Sequence, residues 1–417
     1  MSANFYLSSH ANNHLHPRAA VVAARQEDYK HATEQELAFI EIWSASAMQK
    51  MCKRLNLRQQ VLATAIVFFR RFYLRNSYCE TEPSLVAAAC VYVAAKAEET
   101  PVHVKSAVSE AKAVFNEMGM TTFQADNNRL AEMEFYLIEE LDFHLIVFHP
   151  YRALMQLCGR DGGEQAGGEE GRESRRKMLE MDDHSFQMAW FIINDTFRSS
   201  LCLIHPPHLI ALASIYLALA MNPPRSLISA FSSLNNNDHN KSSHSTTSTS
   251  SSSLGDAGVA SRTRRRGSGD ASNNPSNSNL ASSSSSTAGG GGASNAKPGG
   301  QTDPLTFLAS LDIDQTSLLE IIQEIISLYE LWSMLESTSN SSQSTTTSPA
   351  SPNPNGTTIG NPSGRGLKLE GNNVDQKLVG LIKRMQESRM RELREERSRA
   401  AQVGGSSSST AGSGKRG

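Results

Sequence analysis

The feature that most constrains this chain of 417 residues is an apolar segment that occurs twice. Pro83–Lys96 reads PSLVAAACVYVAAK, and Pro207–Ala220 reads PHLIALASIYLALA. Each segment is apolar on all sides, so each is predicted to be a helix at the centre of its own bundle. A proline suits the first turn of such a helix, and alanines let neighbouring helices approach closely. The sequence therefore predicts two helical units related by duplication.

The two copies differ at one informative place. Lys96 ends the first segment and is followed by Glu98 and Glu99, whereas the second copy has Ala220 at the position of the lysine. A charged cluster on only one copy of a duplicated helical unit indicates a binding protein with one main contact face.

Composition excludes several classes of protein. The formal net charge of −2 favours neither nucleic acid nor anionic lipid as a direct partner. The five cysteines form no CxxC pair, which argues against zinc and thioredoxin-type sites and fits a reducing compartment. No secretory signal opens the chain, and the longest apolar stretch, Leu209–Met221, is too short to span a bilayer.

The spacing of apolar residues is helical, and no segment alternates with a period of two, so we expect an all-α fold. A capping box at Thr33–Glu36 opens a helix that continues to Leu55. We expect an N-terminal segment, a first five-helix repeat, a second five-helix repeat and a low-complexity tail, which cover residues 1–33, 34–148, 149–335 and 336–417.

Two insertions and the tail depart from this pattern. Residues 159–180 are predicted to be a loop, and residues 224–303 are predicted to be a disordered insertion because Ser, Asn, Gly and Thr dominate them. The entropic cost of closing a loop grows only with the logarithm of its length, so the second repeat is expected to tolerate such an insertion. In the tail, residues 375–400 are a possible helix. The favoured interpretation is a solvated helix or disorder, and the alternative is a helix that docks on a partner.

Five motifs together carry a resemblance to a known family. Val93–Glu99 (VAAKAEE) and Met133–Tyr151 (MEFYLIEELDFHLIVFHPY) resemble the cyclin family. Leu57–Tyr78, Asn4–His10 and Asn194–Pro207 are similar to the type of cyclin that works in the Mediator kinase module. The resemblance implies two tandem cyclin-box repeats of five helices each.

The same resemblance implies a function. The chain is expected to be a non-catalytic subunit that binds and activates the cyclin-dependent kinase of the Mediator kinase module and so regulates RNA polymerase II transcription in the nucleus. The other implied partners are the two large subunits of that module and Mediator itself. Two alternatives stay open: a cyclin of an elongation or TFIIH-type kinase, and a promoter-binding general transcription factor on the same fold.

The resemblance also implies which residues contact the kinase. They are Lys96, Glu99, Glu134, Ile138, Phe143 and Leu145. Lys96 and Glu134 are expected to hold main-chain groups of the kinase, because a lysine offers three donors and a glutamate accepts. The competing interpretations are a surface lysine at the end of a buried helix and, for Phe143, an ordinary core position.

A second surface is expected to receive a large subunit of the module. We assign Tyr6, Asn194 and Asp195 to a groove on this surface. The competing interpretation of Asn194 and Asp195 is a polar pair that stabilises a helix.

One departure from the family concerns substrate docking. Cell-cycle cyclins carry a docking patch on the first helix, with an arginine buried against an aspartate of the second helix. We align this patch with Ala38–Ile42, which places Phe39 at the arginine and Arg70 at the aspartate. Docking through the patch is therefore not expected.

No enzyme site is visible in the sequence. A catalytic site would need a nucleophile with a base, or a cluster of metal ligands. The histidines with neighbours of interest are His144, His149, His205 and His208, and we interpret those before prolines as turn residues. No glycine-rich phosphate loop precedes a helix. No catalytic residue, metal or cofactor is expected.

Overall fold

The computed structural model of the protein describes residues 4–121, 123, 125–160, 178–223, 304–340 and 374–406. The predicted disordered insertion lies outside the described residues, as do most of the predicted loop and much of the low-complexity tail.

The described residues are helical and contain no β-strand, so the predicted all-α class is confirmed. A short 3-10 turn at Phe5–Leu7 precedes the α-helices. These are α1 (Ser9–Asn13), α2 (Arg18–Ala23), α3 (Gln26–Tyr29), α4 (Glu34–Arg54), α5 (Gln59–Phe72), α6 (Pro83–Ala97), α7 (Val104–Glu117), α8 (Asn127–Glu140), α9 (Pro150–Leu157), α10 (Asp183–Thr196), α11 (Leu201–Ile204), α12 (Pro207–Met221), α13 (Pro304–Ser310), α14 (Gln315–Asn340) and α15 (Val374–Ser406).

Helix α6 is the centre of the first bundle, as its sequence predicts. It packs against α4, α5, α7 and α8, and its residues from Pro83 to Ala95 are all buried. The predicted capping box opens α4, since the Thr33 hydroxyl oxygen accepts from the Glu36 N–H (3.3 Å) and the Glu36 carboxylate accepts from the Thr33 N–H (2.8 Å).

Helix α12 is the centre of the second bundle. It packs against α9, α10, α11 and α14. Its enclosure is less complete than that of α6, because Tyr216 is 43% exposed and Met221 is 63% exposed. The duplicated sequence thus forms two equivalent helices with different surroundings.

The N-terminal segment, residues 4–33, bonds to both bundles and to the chain that connects them. Its helices are short, so these contacts rather than helix length hold it in place. The contacts are the bond from the Phe148 N–H to His10 Nδ1 (3.0 Å), the pair His14 Nε2 and His144 Nδ1 (3.2 Å), the bond from the His16 N–H to the Leu203 carbonyl (2.7 Å) and the ion pair of Arg18 with Glu320 (2.8 Å).

Helix α15 differs from what the sequence favours. It packs against α4 and α14 of its own chain, so the interpretation as a solvated helix or disorder is wrong. Gln386 also donates to the Thr81 carbonyl (2.9 Å). The buried apolar stripe of the helix consists of Val374, Leu378, Val379, Leu381, Ile382 and Met385.

The contact between the first two helices of the first bundle contains an ion pair that the sequence did not predict. The buried Arg70 pairs with Glu41, and its Nη2 donates to the Arg198 carbonyl (2.5 Å). Phe39, expected opposite Arg70, is instead a buried core residue. Arg70 therefore pairs with a glutamate of α4 that lies two residues after Phe39.

Candidate functional site

An ion pair stands at the exposed end of the otherwise buried helix α6. Lys96 Nζ lies 2.7 Å from Glu134 Oε1 on α8. It also lies 4.1 Å from the centre of the Tyr92 ring, which is a cation–π distance. The Lys96 side chain is 42% exposed and that of Glu134 is 15% exposed. The structure thus brings together the two charged residues expected to contact a kinase.

The charge of Lys96 is secured by its neighbours. Partial burial lowers the pKa of Lys96, but the hydrogen bond to Glu134 and the contact with Tyr92 raise it, and the pKa ends above the ordinary lysine value. An ammonium has three donors and a carboxylate has several acceptor positions, so one mutual bond leaves capacity on both groups. The pair can therefore bind main-chain groups of a partner without separating.

Large apolar side chains are exposed on α8 and in the chain that follows it. Phe135 is 74% exposed, Tyr136 is 41% exposed, Phe143 is 74% exposed and Ile146 is 71% exposed. Phe143 is therefore not a core residue. Exposed apolar groups gathered in one region are typical of a surface that binds another protein.

Sequence reasoning missed Phe135, Tyr136 and Ile146. A signal for the first two was present, because the buried stripe of α8 runs through Leu130 and Leu137. Phe135 and Tyr136 fall beside that stripe, where a solvent-facing helix normally carries polar side chains.

The other predicted contact residues lie close by. Ile138 and Leu145 are half-buried and pack against the core, and the Phe143 N–H donates to the Ile138 carbonyl (3.1 Å). Glu99 adopts a left-handed backbone (φ 54°) in the turn that ends α6. The next residue, Thr100, donates its N–H to the Ala95 carbonyl (2.9 Å), which satisfies the helix end.

Glu98, next to Glu99, has a different environment. Its carboxylate accepts from the Gln60 amide (2.6 Å) and from the Thr64 hydroxyl (2.6 Å). Thr64 Oγ1 is also 2.7 Å from Nε2 of the buried His149. Burial and the charge of Arg71 lower the pKa of His149 to about 3, so the imidazole is neutral. Glu98 therefore ties the end of α6 to α5 and to the second repeat, while Lys96 reaches outward.

A second candidate site is a cavity of about 380 Å³. It holds Asn194 and Asp195, together with the half-exposed ring of Phe191. Its walls come from α4, α5 and the region of α10, and its lining residues are Ala45, Gln49, Gln59, Leu62, Ile66, Phe191, Asn194, Asp195 and Arg198. The lining thus combines amide and charged groups with apolar side chains.

Asn194 and Asp195 are also bonded within the chain. Asn194 accepts from the Tyr151 hydroxyl (2.8 Å), and Asp195 accepts from the Tyr329 hydroxyl (3.1 Å) and from Arg198 (3.0 Å). Burial raises the pKa of Asp195, although the charge of Arg198 acts in the opposite direction. These bonds give both residues a structural role in addition to any part in binding.

Tyr6 is not part of the lining of this cavity. It lies on the 3-10 turn, is 66% exposed, and has its ring centre 6.0 Å from that of His208 on α12. The structure therefore brings Asn194 and Asp195 together but leaves Tyr6 on another surface, beside the exposed Leu7.

Among the described residues, no group of three or more His, Cys, Asp or Glu side chains is arranged to hold a metal ion. None of the described helices is long and apolar enough to cross a membrane.

Residues 6–146 match the family model of the cyclin N-terminal domain. The sequence is 38% identical to the RNA polymerase II holoenzyme cyclin-like subunit of Mycosarcoma maydis, over 54% of this chain and 70% of that protein. The chain belongs to the cyclin family. This cyclin is also 34% identical to Cyclin-C of Drosophila melanogaster, over 56% of this chain and 83% of the fly protein. With Cyclin-C of Rattus norvegicus it shares 36% identity, over 52% of this chain and 72% of the rat protein.

Membership of the family fixes the kind of activity. A cyclin is a regulatory subunit of a protein kinase and is not itself a catalyst. The fly and rat relatives carry the name Cyclin-C, and this chain is a cyclin of that type.

Proposed function

We propose that this cyclin binds and activates the cyclin-dependent kinase of the Mediator kinase module, and that it regulates RNA polymerase II transcription in the nucleus. The observation that carries the proposal is the Lys96–Glu134 pair with exposed apolar side chains beside it. The names of the relatives support the choice of kinase, since one is described as a subunit of the RNA polymerase II holoenzyme.

The physical basis of the activation is a shift between two states of the kinase. Phosphoryl transfer by a protein kinase requires an ion pair between a lysine on its third strand and a glutamate on its αC helix. A surface that binds only the inward position of that helix raises the population of the active state. Such a surface must itself be rigid, and α6, which carries Lys96, is enclosed by four helices.

The contact face has the composition of an interface centre. Lys96 and Glu134 keep hydrogen-bonding capacity for main-chain groups of a partner, and Phe143, in the chain after α8, offers a large exposed apolar side chain. Aromatic side chains and charged groups that lose their water on binding commonly dominate the affinity of a complex. Ile138 and Leu145 are half-buried, so they are expected to contribute less to the affinity for the kinase than Phe143 does.

Affinity purification of the tagged chain, followed by mass spectrometry, tests the identity of the kinase. The kinase and the large subunits of the Mediator module are expected in the eluate. Recovery of a TFIIH-type or elongation kinase instead would contradict the proposal.

Point variants test the contact face. Lys96→Ala and Glu134→Ala are each expected to weaken kinase binding by about 2 kcal/mol. Lys112→Ala is the matched control, because Lys112 is an exposed lysine on α7. Wild-type binding by the double variant with an intact circular dichroism spectrum would exclude this face as the kinase contact.

We further propose that the cavity around Asn194 and Asp195 receives one of the two large subunits of the module. The amide-rich walls suit the main chain of a peptide, and the half-exposed ring of Phe191 offers an apolar anchor. Tyr6 and Leu7, exposed on the N-terminal turn, are a separate candidate for the same partner.

Phe191→Ala is the sharper test of this cavity, because Asn194 and Asp195 also hold the fold together. The expected result is weaker assembly of the module with unchanged pairing to the kinase. Tyr216→Ala serves as the control, since Tyr216 is a similarly exposed aromatic residue on α12 outside the lining. Equal loss of both partners by Phe191→Ala would indicate misfolding and argue against the assignment.

A further inference from the structure

We propose that Arg75 is a positioning residue for kinase binding: by clamping Asp142 it holds Phe143 in the outward conformation in which that ring meets the kinase. The inference deepens the proposed function and rests on it, because it takes Phe143 to be a kinase contact.

The backbone at Asp142 and Phe143 is unusual. Both residues have positive φ values, 51° and 60°. Left-handed conformations are uncommon for residues other than glycine, and for a bulky side chain such as phenylalanine they are outliers. A conformation of this kind persists only when the surrounding structure enforces it.

Arg75, in the chain just after α5, supplies that enforcement. Its Nη1 donates to Asp142 Oδ1 (3.0 Å) and to the Glu140 carbonyl (2.9 Å), and its Nη2 donates to Asp142 Oδ2. The guanidinium therefore grips the carboxylate with two parallel bonds and satisfies a carbonyl at the end of α8 at the same time. Two-point binding of this kind fixes orientation as well as distance.

Backbone bonds complete the clamp. The Phe143 N–H donates to the Ile138 carbonyl (3.1 Å), and the His144 N–H donates to the Leu141 carbonyl (2.9 Å). These bonds close the turn after α8. The Phe143 side chain projects into solvent as a result, with 74% of its surface exposed.

The residue after Arg75 anchors a second exposed ring. Asn76 Oδ1 accepts from the Tyr136 hydroxyl (3.0 Å). The short segment that follows α5 therefore contacts both the exposed Tyr136 of α8 and Asp142, the residue before Phe143. An apolar ring held outward at a cost in backbone strain indicates a contact made with another molecule.

A double-mutant cycle tests the proposal, with the kinase that co-purifies with the chain as the ligand. Phe143→Ala is expected to weaken binding by about 10- to 100-fold, the range for a buried aromatic anchor. Arg75→Gln is expected to weaken it by about 3- to 10-fold, because the clamp is lost and the ring samples other orientations. In the Phe143→Ala background, Arg75→Gln should have no further effect.

The coupling between the two sites separates positioning from a general structural role. Arg75→Lys should recover only part of the affinity, since an ammonium lacks the planar two-point geometry. Arg54→Gln is the matched control: Arg54 is 42% exposed and pairs with Glu117 elsewhere on the first bundle. This control should bind the kinase as the wild type does.

Two results would overturn the inference: wild-type affinity of Arg75→Gln, or additive losses in the double variant. If Phe143→Ala itself binds normally, the assignment of Phe143 in the proposed function fails instead. Thermal melting checks the fold of each variant, and the exposed Arg75–Asp142 pair is expected to contribute little to it.

Discussion

Helices α6 and α12 share a sequence pattern and a position at the centre of a bundle, yet their surroundings differ. Every residue of α6 from Pro83 to Ala95 is buried. In α12 the equivalent of Tyr92, Tyr216, is 43% exposed, and Met221 at its end is 63% exposed. The duplication thus preserved the architecture of the bundles, while the ends and outer faces of the two central helices diverged. The first repeat uses its helix end for a charged contact, and the second does not.

The largest expected effect compares the two tyrosines. Tyr92 is 9% exposed, so Tyr92→Ala should reduce the free energy of unfolding by about 3 kcal/mol or more. Tyr216→Ala should cost less than about 1 kcal/mol, because much of that ring remains in water. Chemical denaturation of both variants measures the difference. Equal losses would show that the two helices are equally enclosed in solution.

Removal of α15 sharpens the comparison, because this helix covers α4 of the first repeat. The free energy of unfolding of a chain that ends at Asn340 should be lower by about 2–3 kcal/mol, because several buried side chains of the α15 stripe are lost with the helix. Hydrogen exchange should increase most in α4. A chain that ends at Leu393 keeps the stripe and should be as stable as the full chain. Faster exchange confined to the second repeat would contradict this picture.

Acid should weaken the junction of the repeats. Burial and Arg71 lower the pKa of His10 and of His149 to about 3, against 6.5 in an unfolded chain. The unfolded state therefore binds more protons between these values, so stability is complete above pH 6.5 and falls as pH decreases towards 3. At pH 5.5 the free energy of unfolding is expected to be lower by about 1 kcal/mol for each of these histidines.

Urea unfolding at pH 7.5 and pH 5.5 measures this loss. His149→Asn should reduce the pH dependence of the free energy of unfolding. An unchanged pH dependence in His149→Asn would show that this imidazole does not titrate as its burial implies.

The smallest expected effect comes from exchanging the residues that distinguish the two helix ends. Ala220→Lys should change stability by less than about 0.5 kcal/mol, because Ala220 is exposed. It should also fail to restore kinase binding to Lys96→Ala, since the partner Glu134 lies on α8 of the first repeat. Restored binding in a pull-down would mean that a lysine at either helix end suffices.

Much of this architecture could be predicted from the sequence because it depends on local pattern. The repeated apolar segments identified both central helices, and Lys96 was recognisable as the charged end of one of them. The docking of α15 was not predictable in the same way, because its charged second half hides a short apolar stripe whose partner lies more than three hundred positions earlier in the chain.

The missed details of the site have similar causes. The Glu41–Arg70 pair depends on how two helices are rotated against each other, which residue spacing alone leaves undetermined. The outward position of Phe143 depends on Arg75, a residue of another helix end, and on a backbone conformation that phenylalanine rarely adopts.

The contacts of the N-terminal segment have a consequence for synthesis. Arg18 pairs with Glu320, a residue 302 positions later, so this contact forms only after the start of α14 has left the ribosome. The first repeat can collapse earlier, because its helices follow one another closely in sequence. The segment is therefore attached in stages: Arg25 can donate to the Asn76 carbonyl once the first helices of the first repeat have been made, whereas Arg18 must wait for a helix of the second repeat.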